Sequence, residues 1–151
     1  MNLKKVIVCD LDGTLAESKS ALKPDMADVI CRVLNKHLFV VVSGGAYSQV
    51  QKQFLTGLNC GPEQLQNLYL FPNMGSTCYI FDKDKNDWKQ VYNENFSDEQ
   101  KNEIMDALKK SIAELGLDLS GPFGEIIEDR GSQITFSGRG QDAPLEVKQV
   151  W

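Results

Sequence analysis

The sequence predicts an α/β protein in which a Rossmann-like parallel sheet fills the first half and a smaller α+β module the second. Three observations carry this. Two short β-branched and apolar runs, Val6 to Cys9 and Leu38 to Val42, flank a segment of helical period, which is the spacing of a right-handed βαβ unit. Both runs stop abruptly in small and polar residues, Asp10-Leu11-Asp12-Gly13-Thr14 and Ser43-Gly44-Gly45. Beyond these, the pattern changes to paired strands and one long amphipathic helix. The change of pattern places a boundary near residues 73–76 and gives two modules, 1–75 and 76–151.

Each element has a local reason. The first run, Val6 to Cys9, reads as a strand buried on both faces, central in its sheet. A polar connection, Ala16 to Lys23, leads to Pro24, which suits the first turn of a helix. Met26, Val29, Ile30, Val33 and Leu34 then form one apolar stripe. After Leu38 to Val42, Tyr47, Val50 and Phe54 share a helical face, Pro62 to Gln66 allows a short helix, and Leu68 to Phe71 is a third strand. Pro72-Asn73-Met74-Gly75-Ser76 breaks that strand. Thr77 to Phe81 and Trp88 to Tyr92 read as an antiparallel hairpin around the charged loop Asp82 to Asp87. That loop is not a calcium loop, because Asp87 and Asn93 stand where glycine and an acidic ligand are needed.

Ser97-Asp98-Glu99-Gln100 is a capping box opening a helix with Ile104, Leu108, Ile112 and Leu115 on its apolar face and Gly116 as its stop. Glu125 to Glu128 and Gln133 to Ser137 pair across a turn at Arg130-Gly131; alternation gives them one covered face, with Ile134 and Phe136, and one polar face, with Gln133 and Thr135. Ala143 to Trp151 begins a further helix that the chain end interrupts.

The chemistry concentrates where the first strand ends. If the chain stays extended through Asp12, Asp10 and Asp12 crowd on one side, and crowded carboxylates favour a hard cation such as Mg²⁺, which in turn attracts phosphate. Gly13 permits a sharp turn, and Thr14 can donate to carboxylate or phosphate oxygen. An Asp-Gly turn alone would account for Asp12 and Gly13, but not for a second carboxylate closing an apolar strand. Parallel strands bring Ser43 to the same edge, where its hydroxyl, Gly44 and a following helix N-terminus would suit an anion.

Composition bounds the partners. The 151 residues are 42% hydrophobic and 25% charged with a net charge of −5, ordinary for one globular chain and repulsive toward nucleic acid and anionic membranes. Cys9, Cys31, Cys60 and Cys78 are scattered, as reduced thiols in a cytoplasm would be. His37, the single histidine, excludes a histidine triad or multi-histidine metal site within this chain and fits a helix C-terminus. No apolar run reaches membrane-spanning length, and Met1-Asn2-Leu3-Lys4-Lys5 lacks a signal peptide's apolar region.

Asp10-Leu11-Asp12-Gly13-Thr14-Leu15 after an apolar strand resembles the first motif of the haloacid dehalogenase-like (HAD) phosphohydrolases, and Ser43-Gly44 resembles the second. The resemblance implies that Asp10 is the nucleophile and Asp12 the general acid/base. It also implies Mg²⁺ held at Asp10 and Asp12, with phosphate bound by Ser43, Gly44 and Thr14. The second half resembles the first part of the cap of subclass IIB, which includes phosphomannomutase and the Cof-type sugar phosphatases. Glu128 to Gly140 is similar to the cap strands that present arginines to substrate, so Arg130 and Arg139 are implied substrate-binding residues.

The expected activity is phosphoryl transfer through an aspartyl-phosphate, hydrolysing or isomerising a phosphorylated sugar or similar small metabolite. Hydrolase and mutase are not separated by the sequence, and a homodimer is left open. The family's lysine and second acidic motif are not recognisable, and Gly140-Gln141-Asp142 matches the latter poorly. A truncated chain is therefore expected. The alternative is a non-catalytic domain that binds a phosphorylated ligand or a partner.

Overall fold

The computed structural model describes residues 5–18 and 20–150. Residues 1–4, 19 and 151 lie outside it, and with them the lead-in before Lys5, part of the polar connection and the end of the last expected helix.

Among the described residues, five strands form one sheet in the order β1-β2-β3-β4-β5: Val6–Asp10, Leu38–Val42, Leu68–Phe71, Thr77–Asp82 and Asp87–Asn93. The first three are parallel, with Cys9 opposite Val41, Asp10 opposite Val42 and Val42 opposite Phe71. Helix α1 (Pro24–Leu34) carries the chain from β1 to β2, and α2 (Tyr47–Gln53) and the short α3 (Pro62–Leu65) lie between β2 and β3. Pro24 opens α1 as the sequence requires, since its missing N–H falls where no helical bond would form.

One core joins both crossover helices to a single face of the sheet. Ala27, Ile30 and Leu34 from α1 and Val50 and Phe54 from α2 and its C-cap cluster with Phe39, Val41, Leu68 and Leu70. The stripe expected on α1 is rotated slightly, since Ala27 is buried and Val29 is 43% exposed. The strand expected to be central and doubly buried is not. β1 is the edge strand among those described, and Val6 and Val8 are 55% and 61% exposed on the face opposite the core. Only Ile7 and Cys9 turn inward, so burial here is one-sided although the residues are apolar on both sides.

The boundary expected at residues 73–76 also moves. β4 pairs antiparallel with β3 through Tyr69–Ile80 and Leu70–Tyr79, so the hairpin extends the first sheet instead of starting a module. The compact units divide between Glu94 and Asn95. Tyr47, at the start of α2, stacks on Tyr79 of β4 with ring centroids 3.7 Å apart and 7° between planes. Burial first, then the neighbouring Tyr79 and Asp87, push the Tyr47 phenol up to about 12.

The second unit has its own logic. Helix α4 (Asp98–Leu115) opens on the expected capping box: the Gln100 N–H donates to Ser97 Oγ at 3.2 Å and the Ser97 N–H to Gln100 Oε1 at 2.9 Å. It closes on Gly116 with φ of 59°, a left-handed turn that suits glycine. Ile104, Leu108 and Ile112 are half-buried, but Leu115 is 71% exposed. β6 (Ile127–Asp129) and β7 (Ile134–Phe136) pair antiparallel, and Lys101 of α4 bridges Asp129 at 3.0 Å. The face expected to be polar, with Gln133 and Thr135, holds two buried oxygens, Gln133 Oε1 and Thr135 Oγ1, with no hydrogen-bond partner among the described residues. α5 spans Leu145–Gln149.

Two of the cysteines depart from expectation. Cys31, on α1, and Cys60 form a disulfide with Cα atoms 5.3 Å apart, whereas Cys9 and Cys78 are free thiols. Scattered positions in sequence hid a pair brought together by packing α1 beside the α2–α3 connection. The cysteine argument for a reducing compartment therefore loses its basis.

Two predictions follow from these contacts. Closing a loop across a sequence separation of 29 should stabilise the first unit by about 3–4 kcal/mol, so Cys60→Ser should lower its melting temperature by about 10 °C or more; equal melting of the variant and the oxidised wild type would exclude the crosslink. Below about pH 10 the Tyr47 phenol is neutral whether the chain is folded or unfolded. Between there and about 12 the unfolded chain alone releases the proton, so stability falls as pH rises. Urea unfolding should show that loss in wild type and less of it in Tyr47→Phe.

Candidate active site

The end of β1 is shaped by a single carbonyl. The Leu11 oxygen accepts from the N–H groups of Leu15 and Ala16, both at 3.1 Å, and from Thr14 at 3.4 Å. Leu11 itself is fully buried and anchors this turn in the core. Gly13 then takes φ of 79°, in the left-handed region, and its N–H donates to the Ala16 carbonyl at 2.7 Å. A Cβ there would meet nothing within 4 Å, so glycine is required by backbone conformation and not by crowding.

The chain does not stay extended through Asp12, as the sequence suggested; the strand ends at Asp10 and turns. Asp10 is exposed at the tip of the strand, and Asp12 is half-buried one step into the turn. Asp12 Oδ1 accepts from the Gln53 side-chain amide at 2.8 Å. Thr14 is exposed and lines a groove of about 270 Å³ with Gly13, Glu17 and Lys23. That groove runs beside the motif without including Asp10 or Ser43, so it is an annex of the site and not its centre.

Ser43 lies one residue past the register partner of Asp10 on the adjacent parallel strand. The two groups are thus at the same edge of the sheet. Ser43 is only 2% exposed, and its Oγ accepts the Gly45 N–H at 3.0 Å, so the hydroxyl hydrogen is left to donate elsewhere. The helix after it begins at Tyr47, with Ala46 as N-cap, so its first turn lies four residues beyond Ser43. α2 therefore adds little dipole at Ser43, and the local donors are loop amides.

The third parallel strand completes the edge. Asn73, Met74 and Gly75 follow β3 with φ of 51°, 57° and 88°, three successive left-handed residues, two of which are not glycine. This strained turn is held by the second loop: the Asn73 N–H donates to the Gly45 carbonyl and the Met74 N–H to the Ser43 carbonyl, both at 2.9 Å. A Cβ on Gly44 would lie 3.5 Å from Met74 Sδ, so the methionine sits over the Ser43–Gly44 turn while remaining 70% exposed.

Among the described residues no group of three or more His, Cys, Asp or Glu side chains could hold a metal. The donors that the resemblance implies at the strand end are oxygens, the Asp10 carboxylate and the Asp12 backbone carbonyl. Mg²⁺ keeps several waters and takes one or two carboxylates together with substrate phosphate, so an oxygen-only pair at this strand end fits that ion. Arg130 and Arg139 belong to the second unit. There, Arg130 Nη2 and Nε donate to Glu128 Oε2 at 2.7 and 2.9 Å, and Arg139 Nη1 donates to the Ser120 carbonyl at 3.1 Å.

Sequence reasoning missed Gln53 and the left-handed turn. The signals were present: Gln53 is a polar residue bordering the Tyr47–Val50–Phe54 face, and Asn73-x-Gly75 comes two residues after a strand.

Comparison with known proteins bears on the family and the fold. A family model described as haloacid dehalogenase-like hydrolase matches residues 7–119. No curated protein matches the chain. The chain is similar to an IMP-bound, N-terminally truncated IMP-nucleotidase from Plasmodium falciparum at 14% identity and a TM-score of 0.62, covering 95% of this chain and 43% of that one. An ATP-bound form of the Plasmodium falciparum IMP-nucleotidase gives 18% identity, a TM-score of 0.63, and coverage of 87% and 34%. A haloacid dehalogenase-like hydrolase from B. subtilis gives 19%, 0.55, and coverage of 71% and 34%. The chain thus spans less than half the length of these structures, and at such identities they speak for the fold alone. With the family model covering three-quarters of its residues and both strand-end motifs at one sheet edge, the chain belongs to the haloacid dehalogenase-like hydrolases.

Proposed function

We propose that this chain carries the nucleophile, the general acid/base and the phosphate loop of a Mg²⁺-dependent phosphohydrolase acting on a phosphorylated sugar or similar small metabolite. The observation that supports this best is the parallel register that sets Asp10 beside Ser43. Asp10 attacks phosphorus, the bond to the leaving oxygen breaks, and Asp12 gives that oxygen its proton. Water then attacks the aspartyl-phosphate, Asp12 takes the water's proton, and phosphate leaves. Ser43 Oγ–H and the Gly44 turn receive the phosphoryl oxygens, with Thr14 a further donor. Asp10 and Asp12 would hold Mg²⁺, which when bound offsets the charge developing on the phosphoryl group.

A mutase returns the phosphoryl group to a sugar hydroxyl in place of water, and the phosphomannomutase-like cap segment favours keeping that version. A nucleoside monophosphate is a second substrate candidate, favoured by the nucleotide-bound Plasmodium falciparum structures that share the fold. The net charge of −5 favours a small anion held locally over nucleic acid or an anionic membrane. No helix among the described residues is long and apolar enough to cross a membrane. Cytoplasmic residence and a homodimer belong to the same proposal. The alternative is a domain that binds a phosphorylated ligand without turnover.

Phosphate release from hexose 6-phosphates and IMP, with and without Mg²⁺, tests the reading. Asp10→Asn should reduce turnover by more than about a thousandfold. Ligand binding with no turnover in the wild-type chain would favour the non-catalytic alternative. Arg139→Ala should raise KM about ten- to a hundredfold with kcat little changed if its guanidinium holds substrate oxygens; an unchanged KM would remove Arg139, and by the same test Arg130, from the substrate-binding set.

A further inference from the structure

Gln53 ends α2, the helix that follows the Ser43 loop, and it is 4% exposed. Three of its hydrogen bonds reach back to the segment that follows the nucleophile. The side-chain Nε2 donates to Asp12 Oδ1 at 2.8 Å and lies 3.5 Å from the Glu17 carbonyl, and its backbone carbonyl accepts the Leu22 N–H at 2.8 Å. One residue thus grips the start, middle and end of the connection between β1 and α1.

The orientation of the amide is fixed by chemistry, because the reverse flip would set its oxygen against a carboxylate. Its Oε1 is buried with no hydrogen-bond partner among the described residues. Packing between Val50 and Phe54 would be served by an apolar side chain, and a buried carbonyl without a partner is unfavourable. The donor half of the amide is therefore what the site uses. An amide carries no charge and exchanges no proton with Asp12, so it can fix a carboxylate's direction without competing for the proton that the carboxylate transfers.

We propose that Gln53 is the positioning residue for Asp12, and that through it the phosphate loop and the acid/base are held as one unit. This rests on the phosphohydrolase reading above. A phosphoryl group seated on Ser43–Gly44 then finds Asp12 already aimed, because the helix issuing from that loop ends on the Asp12 carboxylate.

Gln53→Leu and Gln53→Glu in the 151-residue chain, assayed for Mg²⁺-dependent hydrolysis of p-nitrophenyl phosphate, test the proposal. Loss of the donor should lower kcat about 10- to 100-fold and leave KM within about twofold. A lower melting temperature with kcat unchanged, or a change confined to KM, would overturn the proposal and leave Gln53 as a structural tie. The second measurement needs no variant of Gln53 and no turnover: the side-chain amide proton of Gln53 that is bonded to Asp12, followed by NMR, should shift upfield toward the position of a free amide in Asp12→Ala. Signals unmoved by Asp12→Ala would also overturn it. Asp10→Asn separates the two claims. If wild type and Asp10→Asn are equally inactive, the phosphohydrolase reading fails for this chain, while the amide signal still decides whether Gln53 holds Asp12.

Discussion

Parallel hydrogen bonding between β1 and β2, with Asp10 opposite Val42, is the constraint from which the site follows. Parallel strands need a crossover, and the two crossovers here bring the C-terminal ends of β1, β2 and β3 to one edge. At that edge the apolar pattern can stop, because the chain leaves the sheet and backbone amides become available to a ligand. Asp10 ends an apolar strand, Ser43 is the first residue beyond one and Asn73 the second beyond another, so their assembly costs no special folding step. The core beneath them, with Leu11, Val41 and Leu70 fully or almost fully buried, fixes the platform.

Three loops on one edge would be loose without ties between them, and the structure supplies ties of different kinds. The Asn73–Met74 turn adopts backbone angles that cost roughly 1–2 kcal/mol for each non-glycine residue, offset in part by hydrogen bonds to the carbonyls of Ser43 and Gly45. The connection after Asp10 is tied to α2 by Gln53. The second tie is polar and buried, which makes it directional. A hydrophobic contact would hold the segments together without choosing where the Asp12 carboxylate points.

The two units differ in how they are stabilised. The first has a continuous core spanning both crossover helices, a stacked tyrosine pair and a disulfide. In the second, no residue of α4 is fully buried, and order comes from caps, turns and short ladders. Gly140 illustrates this: with φ of 91°, it lets the chain pass so close to Phe123 that a Cβ would run into the Phe123 backbone. Val6 and Val8 leave an apolar strip on the uncovered face of β1, unusual for a strand of that composition.

Local chemistry alone determined the elements and the residues at the strand ends. Pro24, the Ser97–Gln100 box, Gly116 and the apolar runs act over three or four neighbours, so they could be read directly, and Asp10, Asp12 and Ser43 stood out as polar residues where an apolar pattern breaks. What depended on distant partners was decided only by the tertiary structure. The pairing of β4 with β3 moved the boundary between units past the hairpin, and the place of β1 at the sheet edge exposed a face that its composition suggested was buried. Packing of α1 beside the α2–α3 connection joined Cys31 to Cys60. The hydrogen bond from Gln53 to Asp12 joins residues 41 positions apart, a contact no local pattern encodes, because it exists only once the helix has folded back over the turn.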